Sequence, residues 1–138
     1  MRAVIVGLVA VMAAGCGGGE AAAEMSGELH FVRSGGFAGE HDELTIQPNG
    51  DAALTVRSGD AAQFRLSDEE MDDLQSALDG VDLAGMDSDL TSEKPAPDAF
   101  MYSVTYGNKE LRTDDPSVPD ELKDLLGTLN GIVENHRP

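Results

Sequence analysis

The chain has 138 residues, of which 26 are acidic and nine are basic, so its formal net charge is −17. This charge argues against nucleic-acid binding, because phosphates would be repelled, and we expect no nucleic-acid partner. The simplest interpretation of the excess of acidic residues is that it keeps the protein soluble. The functional alternative is that the negative charge attracts a basic partner over a long range.

The first sixteen residues have the composition of a cleavable secretory signal. A positive start is followed by an apolar run over residues 3–14, which is too short to span a bilayer, and then by small residues before Cys16. This arrangement resembles a bacterial lipobox, which implies cleavage before Cys16 and lipid, such as palmitate, on that cysteine. We predict a signal peptide over residues 1–15 and lipid anchoring on the extracytoplasmic side of the cell membrane, with plain secretion as the alternative.

Cys16 is the only cysteine, so no intramolecular disulfide can form and the fold must depend on its core. Removal of residues 1–15 takes away one arginine and no acid, which changes the net charge from −17 to −18. Residues 16–26 contain three consecutive glycines and an alanine- and glutamate-rich stretch, a composition typical of a flexible tether. The predicted domain therefore spans residues 27–138.

Alternating apolar residues predict several short strands in the first half of this domain. Residues 28–33 are partly apolar on both faces, so this strand should be central in a sheet. Residues 43–47 and 52–57 alternate in the same way, and the Asn-Gly turn between them favours a hairpin. Residues 63–66 add at most a few further strand residues.

Two amphipathic helices are predicted. The first begins at Ser67, because Ser67 and Glu70 fit a capping box, and an apolar stripe follows at spacings of three and four. The second opens at residues 117–120 with Pro119 early in its first turn, and we expect His136 to lie in a frayed tail. Its broad apolar face consists of Leu122, Leu125, Leu126, Leu129, Ile132 and Val133.

The segment between the helices holds the clearest strand pattern. Residues 100–106 alternate strictly, and Gly107-Asn108 predicts a tight hairpin to a returning strand over residues 109–113. The fold class is therefore α+β: an antiparallel sheet of four or five strands packed with two amphipathic helices, in the order β-β-β-α-β-β-α.

A glycine-rich stretch follows the first strand and contains a single large apolar side chain. It consists of Arg33, Ser34, Gly35, Gly36, Phe37, Ala38 and Gly39. Glycine permits backbone angles closed to other residues, so this loop can bend sharply and approach another chain closely. Phe37 either folds back into the core or projects as an anchor for a partner, and the sequence leaves both open.

Motifs for catalysis and metal binding are missing from the sequence. Ser34 has neither a nearby histidine partner nor a G-x-S-x-G context, so we expect no enzyme activity and no cofactor. Residues 40–43 could bind a cation weakly, but a solvated loop face is favoured. Residues 87–93 resemble a calcium loop but carry Ser92 where glycine is required, so no metal site is predicted.

Three segments together resemble the emfourin family, which comprises small protein inhibitors of thermolysin-like zinc metalloproteases. They are residues 31–39 (FVRSGGFAG), residues 97–102 (PDAFMY), and Val118-Pro119 leading to Leu122 and Leu125. Their order and separations match the family as well as their residue types do. The resemblance covers roughly residues 28–132.

This resemblance implies a lipid-anchored inhibitor whose partner is a thermolysin-like metalloprotease. Phe37 would fill the primed-side pocket that favours large apolar side chains, Arg33 and Ser34 would fix the base of the loop, and residues 87–98 would make flanking contacts. The alternative is a non-inhibitory envelope lipoprotein that acts as a binding or structural module.

Overall fold

Six antiparallel strands and two helices make up the computed structural model, which describes residues 25–138. The strands are β1 (Leu29–Gly35), β2 (Glu40–Ile46), β3 (Asp51–Val56), β4 (Ala61–Arg65), β5 (Phe100–Tyr106) and β6 (Lys109–Asp114). Helix α1 (Asp68–Asp79) follows β4, and α2 (Asp120–His136) follows β6 after a 3-10 turn (Asp115–Ser117). The predicted α+β class is confirmed, but there are six strands rather than four or five, in the order β-β-β-β-α-β-β-α.

The additional strand, β4, lies at one edge of the sheet. The strand order is β4-β3-β2-β1-β5-β6, so β4 pairs only with β3. Only Ala62 and Phe64 of its five residues are partly buried, and the other three are exposed. An edge strand with so little apolar surface gives a weak periodic signal, which is why the sequence predicted only a few strand residues there.

Strand β1 is central, as predicted, because it pairs with β2 on one side and with β5 on the other. Phe31 is fully buried opposite Leu44 of β2 and Val104 of β5. Alternate side chains such as Val32 point to the other face and are only partly buried. Both helices contribute to the single core that covers the buried face.

Helix α1 begins as the capping box predicts. The Ser67 hydroxyl accepts a hydrogen bond from the Glu70 N–H at 3.1 Å, and the Glu70 carboxylate accepts one from the Ser67 N–H at 3.0 Å. Met71, Leu74 and Leu78 are the buried residues of this helix. The predicted apolar face of α2 is likewise buried in full.

Two predictions about α2 are wrong. Pro119 is the residue before the helix, the N-cap, rather than part of its first turn. His136 does not lie in a frayed tail: its ring stacks on Phe64 with centroids 3.8 Å apart, and its Nε2 lies 2.9 Å from a Glu70 oxygen. These two contacts hold the last turn of α2 against β4 and α1.

The folded part begins earlier than predicted. Met25 is buried in the core and its N–H donates to the Pro48 carbonyl at 3.2 Å, while the hydroxyls of Ser26 and Tyr106 lie 2.7 Å apart. The last two residues of the predicted tether, 16–26, therefore belong to the domain. The predicted signal peptide, Cys16 and the rest of the tether lie outside the described residues. Within residues 25–138, no helix is long and apolar enough to cross a membrane.

Candidate functional site

The glycine-rich stretch forms the tight connection of the β1–β2 hairpin. The Gly39 N–H donates to the Gly36 carbonyl at 3.1 Å, which closes a turn with Phe37 and Ala38 at its tip. The Phe37 side chain is 100% exposed, and no other large apolar side chain of residues 25–138 is classed as exposed. The core alternative for Phe37 is therefore wrong, and its ring projects from the molecule.

The glycines are required by backbone angle and by space. Gly35, Gly36 and Gly39 have φ values of 98°, 72° and 63°, in the left-handed region that other residues rarely adopt. A Cβ on Gly35 would lie 2.5 Å from the Ala99 carbonyl oxygen, and one on Gly36 would lie 2.6 Å from the Phe100 ring. The loop can therefore lie directly against the start of β5 only because it has no side chains there.

Arg57 supports the turn from the other side. It lies in the β3–β4 connection, and its Nη1 donates to the Ala38 carbonyl at 2.7 Å. The same nitrogen would lie 3.2 Å from a Cβ on Gly39. Arg57 was not among the predicted site residues, although consecutive antiparallel strands bring the β1–β2 and β3–β4 connections to the same end of the sheet.

Arg33 is buried beneath the loop, with 7% of its surface exposed. Its Nε and Nη2 donate to one oxygen of Asp42 at 3.0 and 2.6 Å, and its Nη1 donates to the Asn130 side chain at 3.1 Å. Its Nη2 also donates to Glu134 at 2.8 Å, a hydrogen bond that lowers the pKa of that carboxyl. Arg33 thus lies where it can hold the base of the loop but cannot contact a partner directly.

Arg137, just after α2, extends this ion-pair network from the buried Arg33 and Asp42 to the surface. Its Nη2 donates to the same Asp42 oxygen at 3.0 Å, and its Nη1 donates to Glu40 at 3.3 Å. Because Glu40 is the first residue of β2, the end of the chain is tied to the strand that leaves the loop. The loop support thus includes four residues that were not predicted for it: Asp42, Asn130, Glu134 and Arg137.

Ser34 lies on the opposite face of β1 from Arg33 and is partly buried. Its neighbours in the sheet register are His41 and Met101, so the prediction that no histidine lies near Ser34 is wrong. Within the part of the chain that the structure describes, its hydroxyl makes no hydrogen bond to protein. Ser34 therefore differs from Arg33: it flanks the loop on an open face instead of fixing its base.

The predicted second loop, residues 87–98, divides into two parts. Its first part runs beside β6, where the Leu90 N–H donates to the Arg112 carbonyl at 2.7 Å and the Arg112 N–H donates to the Ser88 carbonyl at 2.8 Å. Its end leads to Ala99, whose carbonyl accepts a hydrogen bond from the Gly36 N–H at 3.3 Å. Only the end of this segment adjoins the glycine-rich loop.

The two acidic segments, residues 40–43 and 87–93, do not form a cation site in the described part of the chain. His41 Nε2 lies 3.1 Å from a Glu43 oxygen on an exposed surface, and Asp89 instead accepts hydrogen bonds from the Thr91 N–H and hydroxyl. No group of three or more His, Cys, Asp or Glu side chains in residues 25–138 is arranged to hold a metal ion.

Neither a comparison with protein-family models nor one with curated proteins finds a match to this chain.

Proposed function

We propose that this protein is a lipid-anchored inhibitor of thermolysin-like zinc metalloproteases, and that it blocks their active-site cleft with the loop around Phe37. The observation that carries the proposal is the position of Phe37: a fully exposed aromatic ring at the tip of a closed turn. Burial of a phenylalanine side chain is worth about 1.5 to 3 kcal/mol relative to leaving it in water, so the exposed ring suits a partner that buries it.

The surroundings of Phe37 favour tight binding. The turn is held by the Gly36–Gly39 hydrogen bond, by Arg57 and by the close approach to β5, so little backbone freedom remains to be lost on association. Aromatic anchors that enter a pocket from such a rigid support commonly contribute most of the binding energy of an interface. Thermolysin-like enzymes offer a pocket of the matching kind.

The resemblance to emfourins supplies the class of partner, and the sequence of residues 1–16 supplies the proposed location. Lipid on Cys16 would hold the domain at the extracytoplasmic face of the cell membrane through the tether. We propose no catalytic role for the domain. His41 lies opposite Ser34 in the sheet register, but its Nε2 lies 3.1 Å from a Glu43 oxygen, and no hydrogen bond joins the Ser34 hydroxyl to it among the described residues.

The proposal is tested by inhibition assays on the chain that starts at residue 17, which lacks the lipidation site but includes every residue of the core. We expect this protein to abolish peptide hydrolysis by at least one thermolysin-like protease at near-stoichiometric ratio. Phe37→Ala should raise the inhibition constant by roughly 30-fold or more, because it removes the anchor. Phe37→Leu should retain most of the inhibition, since the pocket accepts large apolar side chains.

Two results would contradict this function. One is an absence of inhibition across a panel of thermolysin-like proteases, which would favour the non-inhibitory envelope lipoprotein. The other is inhibition by Phe37→Ala that equals that of the parent protein, which would remove Phe37 from the interface.

A further inference from the structure

Resting on the proposed function, we infer that Gly36–Phe37 is the bond presented to the protease and that Arg57 is the positioning residue that protects it from hydrolysis. A pocket on the primed side receives the side chain that follows the scissile bond, so a seated Phe37 brings the Gly36 carbonyl towards the catalytic centre. Since a protease cleaves peptides bound there, the inhibitor needs a structural reason to survive.

The Gly36 carbonyl is already engaged within the loop. It accepts a hydrogen bond from the Gly39 N–H at 3.1 Å. The oxygen that would have to be polarised for hydrolysis is therefore directed towards the inside of the turn. Proteases bind substrates as extended segments, and this hydrogen bond must break before residues 36–39 can extend. The closed turn therefore opposes the geometry that attack on the carbonyl requires.

Arg57 keeps the turn closed by holding its downstream half. Its Nη1 donates to the Ala38 carbonyl at 2.7 Å and lies 3.2 Å from the position that a Cβ on Gly39 would take. The upstream half is held separately, because the Gly36 N–H donates to the Ala99 carbonyl and the Gly36 backbone lies against the Phe100 ring. The two sides of the Gly36–Phe37 bond are thus fixed by different elements of the sheet.

This arrangement also opposes completion of the reaction. Hydrolysis adds water across the C–N bond, which leaves a carboxylate on Gly36 and an ammonium group on Phe37. For the products to part, the new ends must separate, yet Gly36 stays bound to β5 and Ala38 stays bound to Arg57. Ends that are held together favour re-formation of the bond over release.

The test incubates the chain from residue 17 with a catalytic amount of thermolysin and follows intact mass and residual protease activity. We expect the parent to remain uncut. Arg57→Ala should be cleaved between Gly36 and Phe37 at least roughly tenfold faster, because loss of a charge-assisted hydrogen bond increases the open population of the loop. Protease activity should return as that cleavage proceeds.

Two variants serve as controls. Arg65→Ala removes the same charge from an exposed arginine of β4 that pairs with Asp51 of β3, and it should behave like the parent. Arg57→Lys keeps a cationic donor and should restore much of the resistance. Thermal unfolding of each variant establishes that cleavage occurs in the folded protein.

The inference is overturned if Arg57→Ala stays as intact as the parent, or if both are first cut at another bond. A failure of the proposed function would give a different result, because the parent protein would then not inhibit the protease at all. In that case, faster cleavage of Arg57→Ala at Gly36–Phe37 would still support the protection of this bond, and equal cleavage would still contradict it.

Discussion

Arg33 donates two hydrogen bonds, at 3.0 and 2.6 Å, to a single oxygen of the fully buried Asp42. Arg33 lies on the strand that enters the loop and Asp42 on the strand that leaves it, so this pair closes the base of the hairpin that carries Phe37. The other Asp42 oxygen is buried and has no hydrogen-bond partner among the described residues. Such an imperfectly satisfied pair favours a role in fixing geometry over a role in maximising stability.

Removal of this buried charge should be costly. We expect Asp42→Asn to lower the free energy of unfolding by about 3 kcal/mol, because the buried Arg33 loses its only fully buried counter-charge and keeps the exposed Glu134. Chemical denaturation gives the value. Asp51→Asn, which disrupts the exposed pair with Arg65, is the matched control and should cost clearly less. If the two variants lose the same free energy of unfolding, the buried Arg33–Asp42 pair contributes no more to stability than the exposed pair.

The fully exposed Phe37 should be dispensable for folding. Phe37→Ala is expected to change the free energy of unfolding by less than about 0.5 kcal/mol, as for other surface substitutions. Phe31→Ala, in the core of the same strand pair, should cost about 3 to 5 kcal/mol. A core-like loss for Phe37→Ala in thermal or chemical unfolding would contradict the exposed position.

The sequence predicted the parts of the fold whose signals are local. Strict alternation over β5 and the capping box at Ser67 each depend on residues a few positions apart, and both are confirmed. The exposed state of Phe37 was not decided by the sequence, because an aromatic ring among glycines is compatible with burial or projection. Its position depends on how the turn meets β5.

The residues that support the loop could not be predicted from local sequence, because they are far apart along the chain. Arg33 meets Glu134, and Arg137 meets Glu40, over separations of about a hundred residues that no local pattern encodes. One signal was nonetheless present. Asp42 has the same strand parity as the apolar Leu44, which indicates a buried acid in need of a basic partner.

Gly35 should tolerate a side chain poorly, because the atom that a Cβ would meet belongs to the backbone and cannot move aside as a flexible side chain can. Gly35→Ala places a Cβ 2.5 Å from the Ala99 carbonyl oxygen, whereas Gly59→Ala places one in open space at a similar φ of 89°. Both variants carry the strain of a positive φ, so their difference isolates the contact. We expect Gly35→Ala to be less stable by about 1 to 3 kcal/mol. Equal stability would show that the loop shifts away from β5 without cost.

Asp114 should contribute stability that acid removes. The Ser92 hydroxyl, at 2.6 Å, and the Ser92 N–H hold the pKa of this carboxyl below its usual range. A lowered folded-state pKa gives stability that is present above the unfolded value of about 3.9 and lost as the pH falls through the folded one. The stability difference between the parent and Asp114→Asn should therefore shrink as the pH drops below about 4. If the difference in free energy of unfolding between the two proteins does not change with pH, the ionised Asp114 carboxylate does not contribute this stability.

Tyr102 should contribute stability that is lost at alkaline pH, whereas the contribution of Asp114 is lost at acid pH. Burial, together with the 2.7 Å hydrogen bond from its hydroxyl to Asp115, raises its pKa to about 12. The unfolded chain loses this proton near pH 10, so the contribution of Tyr102 to stability is complete below about pH 10 and is lost as the pH rises towards 12. In a Tyr106→Phe background Tyr102 is the only tyrosine, and tyrosinate absorbance then reports its titration directly. Asp115→Asn should move the midpoint down towards 10, because it removes the neighbouring negative charge. The same carboxylate also accepts the N–H of Phe100 at the start of β5. A midpoint near 10 in the folded parent would contradict both the burial of the Tyr102 hydroxyl and its hydrogen bond to Asp115.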